Sequence, residues 1–143
     1  MVHSDIKLSI DPAREMLKVM RSIKKGLPWK EKTLELLSNK GYRYMMFTKN
    51  YSRRDLMEIM ESLAKMEEPA DQRLVWLYKK FINCNNRLKD ISTYLNELER
   101  RKTEIVSKAS EKAGKYLPES EFIEADIYLV IGGSDAYGVH LLD

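Results

Sequence analysis

The chain has 143 residues, of which 43% are hydrophobic and 33% charged, with only 6 Gly and 4 Pro. This length suits one domain, and this composition excludes a mainly disordered chain. The single cysteine, Cys84, excludes an internal disulfide framework, and the two histidines, His3 and His140, form no evident zinc-ligand pattern.

The formal charge of +3 is distributed unevenly along the chain. Residues 1–118 carry 25 basic and 16 acidic side chains, a balance of +9, whereas residues 119–143 contain six acids and no Lys or Arg. The first residues lack the basic and apolar segments of a secretory signal, and no apolar run is long enough to span a bilayer. We therefore expect a cytoplasmic protein without a membrane segment. The N-terminus, which includes His3, is expected to be frayed.

The first 70 residues are predicted to form three helices, at about 12–25, 29–39 and 53–67. The first has Asp11 as its predicted N-cap, and apolar residues follow at helical spacing. The second is expected to stop at Gly41 in a left-handed C-terminal turn. The third begins with a capping-box pattern, Ser52 to Asp55. Between the last two helices, residues 42–47 fit either a short strand or a packed turn.

A long helix is predicted over residues 71–113, and a break near 83–86 is left open because asparagine is a poor helix former. Its apolar residues alternate in steps of three and four, which is the heptad spacing of helices that pack with left-handed crossing. We call this row of apolar residues the seam. It is expected to be buried in the chain's own core, and the alternative is that it forms an interface between two copies of the chain. The residues proposed for self-association are Leu74, Leu77, Phe81, Leu88, Ile91, Leu95 and Leu98.

The last segment, residues 119–143, is predicted to form a strand, a tight turn and a second strand. Ile127–Ile131 is β-branched and aromatic and is followed by Gly132 and Gly133, which indicates a buried strand that enters a turn. Residues 137–142 would form the returning strand. The expected fold class is mainly α with a C-terminal β-hairpin (α+β): residues 1–118 form a helical bundle that leads into the first strands of an incomplete sheet.

Short motifs in this chain supply no catalytic or metal-binding residue. The turn after the predicted strand lacks the Lys and Ser/Thr of a P-loop, and Ser134, Asp135 and His140 are too close in sequence for a convincing serine triad. Cys84 lies within the apolar seam, where an inert core thiol is expected. Basic clusters at residues 49–54 and 100–102, with tyrosines near the first, leave nucleic-acid binding as a less favoured alternative, since acids are interleaved with them.

Several features together resemble the N-terminal half of bacterial predicted zinc-dependent peptidases of the gluzincin type. They are the opening helix with Glu15-Met16-Leu17, then Trp29, Leu34 and Gly41-Tyr42, then Leu117-Pro118, and above all the run from Ile127 to Gly138. The resemblance implies a hydrolase in which a later helix carries H-E-x-x-H, whose histidines bind zinc and whose glutamate activates water. These 143 residues contain no such motif, so the resemblance implies zinc only for a complete family member and predicts an inactive fragment.

One functional role can be transferred from this resemblance to residues of the chain. In gluzincins an edge strand pairs with the extended peptide substrate, and an Asn-Ala-aromatic sequence is a familiar form of it. Asp135, Ala136 and Tyr137 are similar, with Asp in place of Asn. They are the predicted substrate-binding residues, and an ordinary hairpin turn is the alternative. A helical interaction module that uses the apolar seam is the second hypothesis for the function of the whole chain.

Overall fold

The computed structural model describes residues 3–116 and 122–132, and within these ranges the chain forms six helices between two strands. In chain order they are β1 (His3–Ser9), α1 (Asp11–Lys24), α2 (Lys30–Leu36), α3 (Lys40–Lys49), α4 (Arg53–Lys65), α5 (Gln72–Asn85), α6 (Leu88–Tyr116) and β2 (Phe122–Tyr128). The mainly α fold class with a small sheet is confirmed. No helix in the described part of the chain is both long and apolar enough to cross a membrane.

The two strands lie side by side and parallel, although the whole helical region separates them in sequence. The register runs from His3 opposite Phe122 to Ser9 opposite Tyr128. Parallel neighbours need a crossover connection, and here all six helices of the described chain form it. The first and last described elements therefore meet at one side of the bundle.

The structure corrects the sequence predictions for both strands. The N-terminus was expected to be frayed, but its residues form β1, in which Ile6 and Leu8 alternate with polar residues. The buried strand expected at 127–131 is instead β2, which starts at Phe122 and has Glu124, Asp126 and Ile127 exposed. The strand starts earlier than predicted because it pairs with β1 from Phe122 onward. The hydrogen bonds between the two strands use only backbone groups, so exposed polar side chains such as Glu124 and Asp126 are compatible with them. The predicted returning strand, 137–142, lies outside the described residues.

Two of the predicted helices, α1 and α4, occur close to their predicted positions. Helix α1 begins at Asp11 with Ile10 as its N-cap, one residue earlier than predicted. At α4, Ser52 Oγ accepts from the Asp55 N–H at 3.1 Å and the Asp55 carboxylate accepts from the Ser52 N–H at 2.9 Å, so the capping box is confirmed. The long helix is broken, since α5 ends at Asn85 and α6 begins at Leu88.

The region around Gly41 was predicted wrongly. Helix α2 ends at Leu36, and Asn39, which is extended, caps the start of α3 by accepting from the Gly41 N–H at 2.8 Å. Residues 42–47, for which a strand or packed turn was expected, lie inside this helix. A lone Asn-Lys-Gly sequence is compatible with both a helix stop and an Asn N-cap, and in the fold it is an N-cap.

The core is formed by the apolar faces of the helices. The seam of α5 and α6 belongs to it: Leu74, Leu77, Phe81, Leu88 and Leu95 are buried, and Ile91 and Leu98 pack against the core while partly exposed. These contacts within one chain favour the interpretation of the seam as core. Self-association through the same residues stays a prediction.

Candidate functional site

The segment just after β2, residues 129–132, is the described part of the chain that leads toward the predicted substrate-binding residues. We call it the strand exit. It begins by continuing the parallel pairing, since the Leu129 N–H donates to the Ser9 carbonyl at 3.0 Å. Ile131 and Gly132 are buried. The strand exit is therefore held inside the fold, three residues before Asp135 in the sequence.

Tyr42, on the first turn of α3, binds the backbone of the strand exit. Its side chain is fully buried, its hydroxyl donates to the Ile131 carbonyl at 3.3 Å, and the same oxygen accepts from the Ile131 N–H at 3.0 Å. Burial raises the pKa of Tyr42 far above its ordinary value, although the Ile131 N–H bond lowers it, and the nearby Cys84 raises it further. The hydroxyl therefore stays protonated and can both donate and accept.

Two glycines permit close approach of backbones around this contact. A Cβ added to Gly41 would lie 2.9 Å from Tyr128 Cβ and 3.1 Å from Val130 Cγ1. A Cβ added to Gly132 would lie 2.7 Å from Cζ of Phe81, and the φ of +124° at Gly132 is one that other residues rarely adopt. Glycine at these two positions lets the strand exit lie directly against α3 and α5.

The rings of Tyr44, on α3, and Tyr128, at the end of β2, pack edge to face. The ring centroids are 5.8 Å apart with an interplanar angle of 68°, a favourable edge-to-face geometry. Together with Tyr42 and Gly41, this pair fixes α3 against the end of β2. The strand exit is thus held by side chains of α3 and α5, beyond the last residue of the strand ladder.

Other residues considered in the sequence analysis show no shared site. Asp135, Ala136 and Tyr137 lie outside the described residues. Burial raises the pKa of Cys84, although the charge of Arg87 lowers it, so the thiol stays protonated at neutral pH. In the basic cluster at 100–102, Arg100 pairs with Glu97 and Arg101 with Glu104. Nucleic-acid binding stays a prediction without a test.

The described residues do not fit a zinc site. Among residues 3–116 and 122–132, no three His, Cys, Asp or Glu side chains group closely enough to hold a metal ion. His140 lies outside these ranges. We therefore derive no catalytic step through zinc from the residues that the structure places.

Comparison with known proteins identifies the family of this chain. A family model described as "Putative zinc dependent peptidase (DUF5700)" matches residues 31–140, which is more than half of the chain. The chain belongs to this family. The match starts after α1 and continues through the strand exit, so β1 and α1 lie before the matched segment. No curated protein and no solved structure matches the chain.

Sequence reasoning missed the residues that build the strand exit. Tyr42 was considered as one of the tyrosines near a basic cluster and as part of the family resemblance, but not as a ligand of the backbone; its complete burial removes it from any surface. The alternation in β1 was a signal that could have been used. No sequence signal connects Tyr42 with Ile131, because the pairing depends on how α3 packs against the end of β2.

Proposed function

We propose that this chain forms the helical region and the substrate-side strand segment of a zinc-dependent peptidase, and that its 143 residues by themselves do not hydrolyse peptides. Family membership supports the peptidase assignment. The sequence has two histidines and no H-E-x-x-H, so the zinc-binding histidines of the proposed enzyme belong to a part outside these residues. The cytoplasmic location expected from the sequence is part of the same proposal.

The strand exit is the observation that carries this proposal. Ile131 and Gly132 are buried, and Tyr42 binds the backbone of Ile131, in the segment that precedes Asp135, Ala136 and Tyr137 in the sequence. A strand that pairs with substrate through its main chain needs a backbone in a fixed position, because hydrogen bonds lose strength rapidly with misalignment. We propose that residues 135–137 form the edge that pairs with an extended peptide substrate.

The first test is the reading frame that encodes this chain, continued past the codon for Asp143. We expect it to encode H-E-x-x-H, and the corresponding longer protein should bind zinc and cleave unstructured peptides. A stop codon directly after Asp143, with no neighbouring frame that encodes the motif, would contradict the proposal. Zinc-dependent peptide hydrolysis by the 143-residue chain would also contradict it.

The second test concerns the edge strand in the longer protein. Ala136→Pro removes one backbone N–H, whereas Ala136→Ser keeps it and serves as the control. If that N–H donates to the peptide, KM for cleavage should rise about 3- to 10-fold in the proline variant, the equivalent of one hydrogen bond, with zinc content unchanged. Equal KM values in both variants and in the parent would exclude pairing through residue 136.

A further inference from the structure

The connection between α1 and α2 exposes apolar side chains in the middle of a basic segment. We call residues 24–32 the basic loop. Leu27 is 51% exposed, and Pro28 is also exposed. Glu31 is the one acid in the segment, whose balance is therefore +3. Two exposed lysines precede the apolar pair and two follow it: Lys24, Lys25, Lys30 and Lys32.

Backbone hydrogen bonds hold the tip of the basic loop in one conformation. The Gly26 N–H donates to the Ile23 carbonyl at 3.1 Å, and the Leu27 N–H donates to the Ser22 carbonyl at 2.9 Å. These two bonds form a Schellman motif, and Gly26 has the left-handed φ of +70° that the motif requires. Leu27 is therefore held at a defined position, so a partner that covers it pays little for ordering the backbone.

The position of Leu27 in this motif makes its exposure notable. The side chain that follows the glycine frequently packs against an apolar residue of the preceding helix turn. Here the helix positions concerned are Arg21 and Ser22, which are not apolar. Leu27 keeps half of its surface in water although its backbone is fixed. An apolar side chain displayed in this way gains free energy when an apolar phase covers it.

Trp29 attaches the basic loop to the helix bundle. Its ring is partly buried against the core, and its carbonyl accepts from the Thr33 N–H at 3.0 Å and from the Thr33 hydroxyl at 2.8 Å. The Lys30 ammonium lies 5.8 Å from the ring centroid. Tryptophan favours the boundary between water and lipid, because its ring is apolar and its N–H is polar. The loop therefore has a second side chain suited to such a boundary.

The chemistry of the basic loop fits an anionic lipid surface better than a nucleic acid or an acidic protein. Leu27 and Pro28 offer no aromatic ring on which a base could stack. All four basic residues are lysines, whereas paired recognition of phosphates and carboxylates favours the forked arginine side chain. Lysine carries its charge on a flexible apolar stem, which reaches headgroups while neighbouring residues enter the lipid. An apolar tip between lysines matches a bilayer, in which acyl chains lie beneath phosphates.

We propose that the basic loop is a peripheral membrane-binding site: Leu27 enters the boundary between headgroups and acyl chains of an anionic phospholipid bilayer, and the loop lysines contact its phosphates. Among the described residues, the ammonium groups of Lys25 and Lys32 have no hydrogen bond or ion pair, whereas Lys30 pairs with Glu61 at 3.4 Å. Binding of this kind needs no transmembrane helix. The inference goes beyond the proposed function and does not depend on it.

The first test is sedimentation of the 143-residue chain with vesicles of phosphatidylglycerol and phosphatidylcholine in equal amounts, and with vesicles of phosphatidylcholine alone. The parent should bind only the anionic vesicles, and binding should weaken as salt is added. Leu27→Ser should weaken it about 5- to 10-fold, because the exposed half of the leucine no longer gains from burial. Ile127→Ser, at a position with 46% exposure on β2, is the control and should bind as the parent does.

The second test removes charge from the basic loop. Lys25→Gln combined with Lys32→Gln should weaken binding about 25-fold at low salt, which is about 5-fold for each lysine. Lys79→Gln combined with Lys112→Gln removes the same charge at exposed positions of α5 and α6, and it should change binding little. Equal losses in the two double variants would mean that net charge alone attracts the vesicles, and the proposed site would be wrong.

The two tryptophans of the chain report which surface meets the lipid. In Trp76→Phe the emission comes from Trp29 alone, and it should shift to shorter wavelength when anionic vesicles are added, since the ring leaves water. In Trp29→Phe it comes from Trp76, on α5, and should not shift. A shift of Trp76 without a shift of Trp29 would place the lipid on another surface and overturn the proposal.

Other outcomes would also reject the membrane site. Failure of the parent to bind anionic vesicles at low salt is one. A second is displacement of the vesicles by a single-stranded oligonucleotide or by polyglutamate while Leu27→Ser binds as tightly as the parent, which would identify an anionic polymer as the partner. Weaker binding by Leu27→Ser, with helix content unchanged by circular dichroism, supports the site. Peptide cleavage by the longer protein tests the proposed function separately.

Discussion

The start of α4 and the strand exit both use side chains to satisfy backbone groups, but over very different distances in sequence. At α4, Ser52 and Asp55 bond each other's backbone N–H groups three residues apart, at the protein surface. At the strand exit, Tyr42 bonds Ile131 across 89 residues in the buried core. Similar hydrogen bonds therefore differ in energy and in predictability according to burial and sequence separation. Four substitutions or conditions test this difference.

The largest effect is expected from Phe81→Ala. The ring is fully buried and lies against Gly132, so its loss leaves a cavity below the strand exit and should lower the free energy of unfolding by about 3 to 5 kcal/mol. Urea denaturation measures it. The matched control is Phe47→Ala, because Phe47 is 76% exposed and should change stability by at most about 0.5 kcal/mol. Similar losses in both variants would contradict the packing at the strand exit.

Gly132→Ala should have the next largest effect. The new methyl group would meet Phe81 and the residue would keep an unfavourable φ, which together should cost about 2 to 4 kcal/mol in chemical denaturation. Gly26→Ala is the control, since Gly26 has a φ of +70° but nothing within 4 Å of the added Cβ. We expect about 1 kcal/mol there. Equal costs at the two glycines would show that the strand exit does not press against Phe81.

Ser52→Ala should have a smaller effect, because the helix cap is exposed and water can replace the lost bond. The expected loss is about 1 kcal/mol in the free energy of unfolding, measured by thermal or urea denaturation. Ser107→Ala, at an exposed position inside α6, is the control and should change stability by at most about 0.5 kcal/mol. A loss at Ser52 as large as that at Phe81 would mean that burial does not separate the two regions.

The smallest effect is expected from acidification at the start of α4. Burial raises the pKa of Asp55, but hydrogen bonds from Arg73 and Ser52 outweigh it, so the pKa lies below its ordinary value of 3.8. A lowered pKa in the folded state means that Asp55 stabilises the fold above pH 3.8 and loses this effect as the pH falls through its folded-state pKa.

Asp55→Asn provides the measurement for this pH dependence. The difference in free energy of unfolding between the parent and Asp55→Asn should be largest near pH 7 and should shrink as the pH falls below 3.8. Glu58→Gln, at an exposed position of the same helix, is the control for general acid effects. A difference that stays constant from pH 7 to below 3.8 would contradict the lowered pKa.

Features that depend on neighbouring residues could be predicted from the sequence. The capping box and the apolar faces of α1, α4 and α5 follow from spacing and propensity over a few turns, whereas the break of the long helix was left open because asparagine only disfavours a helix. Gly41 shows the limit of this reasoning, because the same Asn-Lys-Gly sequence suits the end of one helix and the start of the next. Only the packing of α3 against β2 selects the start, since it requires a residue without a side chain there.

The sequence by itself determined the mainly helical class and the positions of α1 and α4, because these depend on residues close together in the chain, and its short motifs carried the resemblance to zinc-dependent peptidases. Tertiary structure decided that the first strand pairs with the last described strand, parallel, and that Tyr42 holds Ile131. Both contacts join residues far apart in sequence. The strand pairing uses only backbone groups, and the tyrosine hydroxyl bonds a backbone that is chemically alike at every residue. Residue identity therefore carries little information about which partner each group finds.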